Sequence, residues 1–114
     1  LGLVLLGFAR ALQAVGEVGT FGARKYTDDG WVEVENGQAR YTDALLRHLM
    51  SESRGEKLDP DSGLRHAAQA AWNALARLDI EIRQEERLHV QGSPPPILPA
   101  EPWRGGDLPR EPHP

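Results

Sequence analysis

Apolar residues recur at helical spacing in three stretches of the chain. Leu3, Val4, Leu6, Ala9, Leu12 and the apolar positions between Val15 and Val18 predict a first helix over about residues 3–19. Gly2, Gly7, Gly16 and Gly19 work against it, since each glycine costs about 1 kcal/mol relative to alanine inside a helix. From residue 22 to residue 38 the periodicity gives way to Gly, Asp, Asn and charged residues around Trp31, which predicts a long loop. A second helix is predicted over 39–53, with Gly55 placed to end it in the left-handed conformation. On that helix Leu45, Leu46, Leu49 and Met50 share one face, the expected core face. Arg40, Asp43, Arg47 and Arg54 fall on the opposite side, and Tyr41, His48 and Glu52 form a narrow stripe along one border of the apolar face.

A short acidic connection, 56–63, offers Asp61 or Ser62 as a cap for a third helix over about 64–87. That helix is apolar nearly all round, with Ala67, Ala71, Leu75 and Leu78 on one side and Trp72 and Ala76 toward another, so it is expected to be central. One polar stripe crosses it, formed by His66, Gln69, Asn73 and Arg77. After Val90 the character changes, and eight of the nine prolines lie between Pro94 and Pro114. Such a segment is too poor in apolar residues to fold alone and too rich in proline to be helical. The expected fold is therefore all-α, a small bundle of about three helices over 1–90 followed by a disordered Pro-rich tail over 91–114.

At 114 residues the chain has room for one compact core. A formal net charge of -4 gives no overall basic field, so polymeric nucleic acid and anionic membranes are not expected partners. The absence of cysteine removes disulfides and thiolate chemistry and fits a cytoplasmic protein. The apolar run 1–8 lacks the basic flank of a signal peptide and is too short to span a bilayer. Opening on Leu1 rather than Met reads as a start cut away or misassigned. Long apolar stripes on few helices call for cover, which a homo-oligomer supplies.

Glu56, Asp59, His66 and Asn73 form the leading constellation. Hard cations such as Mg²⁺ and Mn²⁺ take oxygen ligands, and a histidine in the set tilts it toward Mn²⁺ or another transition metal. Glu56 and Asp59 precede the third helix closely enough to fold over the end from which His66 emerges. The plainer reading is that the Asp59 and Asp61 carboxylates favour a helix N-terminus through its dipole, with His66 and Asn73 as hydrogen-bonded interface residues. Arg40 and Arg47 suit phosphate oxygens, or else pair with Asp43 on a solvated face. Lys25, Tyr26 and Trp31 offer a cation and two stacking faces, although an aromatic folded over the core is the commoner case. There is no phosphate-binding glycine loop with its lysine, no HExxH and no GxSxG.

Taken in order, Phe21-Gly22-Ala23-Arg24-Lys25-Tyr26, Trp31, Arg40-Tyr41-x-Asp43-Ala44-Leu45-Leu46-Arg47-His48-Leu49, Gly55-Glu56-x-x-Asp59-Pro60-x-Ser62-Gly63-x-x-His66 and Ala70-Ala71-Trp72-Asn73-Ala74-Leu75 resemble the dATP/dGTP diphosphohydrolase family of phages and their hosts. The resemblance implies cleavage of a purine deoxynucleoside triphosphate between its α and β phosphates, giving monophosphate and pyrophosphate. It also implies kinship with the all-α, MazG-like nucleotide pyrophosphohydrolases, which present carboxylates to divalent metals. The family commonly carries a second histidine three residues after the first on the last helix, where this chain has Gln69.

The expectation is metal-dependent hydrolysis with Glu56 and Asp59, together with His66 or Asn73, holding Mg²⁺ or Mn²⁺. Glu56, Asp59 and His48 are the expected catalytic residues, with His48 orienting water or a phosphate. Arg40, Arg47 and Lys25 are expected on the phosphates, and Tyr26 or Trp31 on the purine. The rival is a non-catalytic helical interaction module whose polar stripes only specify packing, or an inactive relative that binds nucleotide.

Overall fold

The computed structural model describes residues 1–25 and 27–90, so Tyr26 and the proline-rich tail lie outside the described residues. The element order is α1 (Gly2–Gly7), α2 (Ala9–Lys25), a single 3-10 turn (Gly30–Glu33), α3 (Gly37–Ser53) and α4 (His66–Val90). The fold is all-α, as the periodicity predicts.

The first predicted helix is two. Phe8, at φ -110° and ψ 26°, ends α1, and α2 then runs past Gly19 and Gly22 to Lys25. Gly19 is kept by packing rather than merely tolerated. A β-carbon there would lie 3.4 Å from Trp72 Nε1, so the bare backbone lets α2 settle onto α4. The following loop is correspondingly shorter than expected and contains the 3-10 turn that carries Trp31.

α3 and α4 are antiparallel neighbours. Gly37 meets Ile80 at one end, where an added β-carbon would stand 3.1 Å from Ile80 Cδ1, and His48 meets His66 at the other. Asn36, at φ 57°, starts α3 from the left-handed region, which asparagine tolerates better than most residues. The core consists of Tyr41, Ala76 and Ile80, with Trp31, Val34 and Trp72 packed against them. Trp72 meets the rings of Trp31 and Tyr41 edge-on, at 5.8 and 5.5 Å between centroids, a preferred arrangement of aromatic quadrupoles. Tyr41 donates its hydroxyl proton to the Trp31 carbonyl at 2.8 Å, which fastens the loop to α3.

The expected core face of α3 is overturned. Its buried residues are Gly37, Arg40, Tyr41 and Ala44, whereas Leu46, Leu49 and Met50 are about half exposed. α4 is inverted in the same way. Ala67, Ala71, Leu75 and Leu78 are exposed, and His66, Gln69 and Asn73 from the polar stripe are buried beside Ala76 and Ile80. The reason is that the polar stripe finds hydrogen-bond partners in α3 and the 54–65 loop, while the leucine faces meet no further helix among the described residues. Burial of polar side chains is tolerable only when they are so satisfied.

Candidate metal centre

The loop between α3 and α4 is held closed by its own backbone. Gly55, at φ 91°, turns the chain out of α3 as its position predicts, and Gly63, at φ 74°, turns it back. The Asp59 amide donates to the Leu64 carbonyl at 2.8 Å, Gly63 to Asp59 at 2.7 Å, and His66 to Lys57 at 3.0 Å. A single antiparallel bridge joins Leu58 and Arg65. The Asp59 carboxylate accepts the Asp61 amide at 2.9 Å, and Ser62 Oγ accepts the Leu64 amide at 3.1 Å. Ser62 thus folds the loop instead of capping a helix at residue 64, and α4 begins two residues later than expected.

This loop sets Asp59 beside the start of α4 and opposite the last turns of α3. His48, Asp59 and His66 each present a ligand atom, all lying within 4.8 Å of one another. Asp59 and His66 are buried and His48 is half-buried. The two imidazoles meet Nδ1 to Nδ1 at 2.8 Å, while Nε2 of His66 lies 2.7 Å from Oε1 of Glu56. A carboxylate accepts, so His66 Nε2 donates to it. In neutral His66 the Nδ1 lone pair is then free to face His48, whose own Nδ1–H supplies the proton between them.

The arrangement fits a metal ion. Neighbouring ligands about 2.1 Å from an octahedral ion stand about 3 Å apart, close to the separation of the two nitrogens. Two imidazoles and a carboxylate suit Mn²⁺ or another transition ion better than they suit Mg²⁺. Glu56 on the far nitrogen of His66 has the place of the outer carboxylate that orients a metal-bound histidine.

The other expected residues are placed as follows. Asn73 is fully buried; its Nδ2 donates to the Gln69 carbonyl at 2.7 Å, and its Oδ1 has no hydrogen-bond partner. Gln69, also fully buried, donates to Ser62 Oγ at 3.2 Å, tying α4 to the loop. Lys25 reaches across to Asp61 at 3.3 Å and brings positive charge to the loop that carries Asp59. Arg47 pairs with Asp43 at 2.9 Å and is half exposed. Arg40 is buried, and its Nε has no partner. Trp31 belongs to the aromatic core, with the Arg83 guanidinium 5.3 Å from its ring centre. Tyr26 lies outside the described residues.

Two features escaped the sequence reading. His48 was expected to orient a water or phosphate, yet it completes the metal-ligand cluster. Asp61 was expected only near the helix start, yet it anchors Lys25. The first was foreshadowed by the stripe shared by Tyr41, His48 and Glu52; the second needed the position of α2.

The family model described as dATP/dGTP diphosphohydrolase, N-terminal, matches residues 1–89, which include every ligand of the cluster. No curated protein and no solved structure matches the chain.

Proposed function

This chain belongs to the dATP/dGTP diphosphohydrolase family by its N-terminal domain, and on that premise we propose that it hydrolyses dATP or dGTP to the monophosphate and pyrophosphate with a divalent metal, Mn²⁺ or Mg²⁺. The observation that carries the proposal is the convergence of His48, Asp59 and His66 from α3, the loop and α4. A bound divalent ion supplies Lewis-acid neutralisation of phosphate charge and an activated water.

The chain's own residues do the rest. Glu56 fixes the ring of His66 through Nε2, leaving Nδ1 to the ligand set. The buried pair Gln69 and Asn73 holds the first turns of α4 against the loop and so fixes where His66 emerges. Lys25 exchanges Asp61 for a phosphate oxygen, and Arg47 exchanges Asp43; both pairs are exposed enough to break at little cost. Free deoxynucleotides as substrate place the reaction in the cytoplasm. The proposal includes no polymeric nucleic acid and no membrane partner, and no described helix is long and apolar enough to cross a membrane.

The test is pyrophosphate release from dATP and dGTP with Mn²⁺ or Mg²⁺, with the nucleotide product identified. Monophosphate is expected. His66→Ala should lower turnover by about three orders of magnitude or more, since metal stabilisation of the transition state is worth several kcal/mol, with helical content unchanged. Undiminished turnover in that variant would remove the cluster from the reaction.

A homo-oligomer belongs to the same proposal. Leu46 and Leu78 line an open groove of about 640 Å³ between α3 and α4, and Leu49 and Met50 are exposed on α3. An apolar surface of this kind marks an association site. Sedimentation velocity over a concentration series should give a mass above the monomer; a monomer throughout would refute it.

A further inference from the structure

A second groove, of about 350 Å³, lies along α4 and is lined by Trp31, Trp72, Leu75, Leu78, Ile82 and Arg83 among others. Its aliphatic members are half open to solvent: Leu75 50%, Leu78 51% and Ile82 44% exposed. Aromatic-walled grooves of this kind receive proline-rich segments in the polyproline II conformation, whose fixed φ angles reduce the entropy lost on docking. The chain contains such a segment. Residues 91–100, Gln-Gly-Ser-Pro-Pro-Pro-Ile-Leu-Pro-Ala, carry no charge and follow directly from α4.

We propose that residues Pro94 to Pro99 of this chain dock in its own Trp31–Trp72–Ile82 groove. The reach is sufficient. Ile82 precedes Val90 by eight residues, about 12 Å of helix, and the four residues from Val90 to Pro94 span up to about 13 Å extended. Gly92 and Ser93 are residues suited to the reversal. From there six residues of polyproline II cover about 19 Å at about 3.1 Å each. Ten residues of α4 separate Ile82 from Trp72, about 15 Å of helix. The prolines, Ile97 and Leu98 thus come to lie along Ile82, Leu78, Leu75 and the two indoles. They supply apolar cover that no described element provides, and they do so without placing a charge against the groove.

The chain has no cysteine, so Glu101→Cys in the full-length protein gives a single site for a nitroxide spin label. Paramagnetic broadening in ¹⁵N spectra is then expected to remove most of the intensity of the Trp31 and Trp72 indole signals and the Leu75, Leu78 and Ile82 amides. Thr20 on α2 and Met50 on α3 should be spared. Adding Ile97→Ser and Leu98→Ser should restore the lost intensity, as should the exposed-site change Ile82→Glu, with all other shifts unmoved. A mixture of labelled ¹⁴N chain with unlabelled ¹⁵N chain should show no broadening. Broadening in the mixture would assign the groove to the tail of a second copy and overturn docking within one chain. Intact groove signals in the labelled chain would overturn the proposal outright.

Discussion

The two ends of the α3–α4 pair are built on opposite terms. At one end Tyr41, Ala76 and Ile80 are buried among rings and aliphatic carbon, and only the tyrosine hydroxyl needs a partner, which the Trp31 carbonyl supplies. At the other end His66, Gln69 and Asn73 are as deeply buried, yet each carries nitrogen or oxygen that must be satisfied by the loop, by α3 or by its own helix. A buried polar atom left without a partner costs about 1–3 kcal/mol, and Asn73 Oδ1 is such an atom. Stability alone would favour leucine at these positions. The difference teaches that the apolar end holds the helices together, while the polar end uses that rigidity to fix two imidazoles and a carboxylate.

That division breaks most visibly at the apolar end. Ile80→Ala removes the side chain that packs on Gly37 and Tyr41. The expected loss, read from urea unfolding, is about 2–4 kcal/mol, the usual cost of truncating a buried isoleucine. Metal affinity in the fraction that stays folded should be unchanged, because the cluster lies some 11 residues further along α3 from Gly37, about 16 Å. A parallel fall in metal affinity would show that the two ends are one cooperative unit, and the contrast between them would dissolve.

The helices were legible because their periodicity is strong and their ends are marked, Gly55 most plainly. The face of α3 was not. Leu45, Leu46, Leu49 and Met50 form the most apolar stripe on that helix, and periodicity reports amphipathicity without saying what lies opposite each face. Inside this chain the opposite surface is the polar stripe of α4, so the leucines turn outward. Gly19 and Gly37 misled for a related reason, since a glycine weakens a helix locally but permits a close approach that only tertiary packing reveals. At the site, Glu56, Asp59 and His66 were readable because they cluster within one short loop. His48 lies 18 residues before His66, and its place as a ligand depends on the antiparallel pairing that brings the end of α3 back to the start of α4.

The polar end is sharpened by a smaller change. In Glu56→Gln the side chain keeps its length and still reaches His66, but the carboxylate charge on Nε2 is gone. Glu56 is half exposed, so its replacement removes no packing and should leave the urea midpoint nearly unmoved. Losing an outer carboxylate typically costs 10–100-fold in metal affinity, about 1.4–2.7 kcal/mol, and calorimetric titration with Mn²⁺ reads that loss directly. Ile80→Ala and Glu56→Gln therefore form a crossed pair, one moving stability without affinity and the other affinity without stability. If Glu56→Gln bound Mn²⁺ as tightly as the parent, the 2.7 Å contact would be a surface hydrogen bond with no bearing on the ligand set, and His66 would owe its orientation to His48 and the closed loop alone.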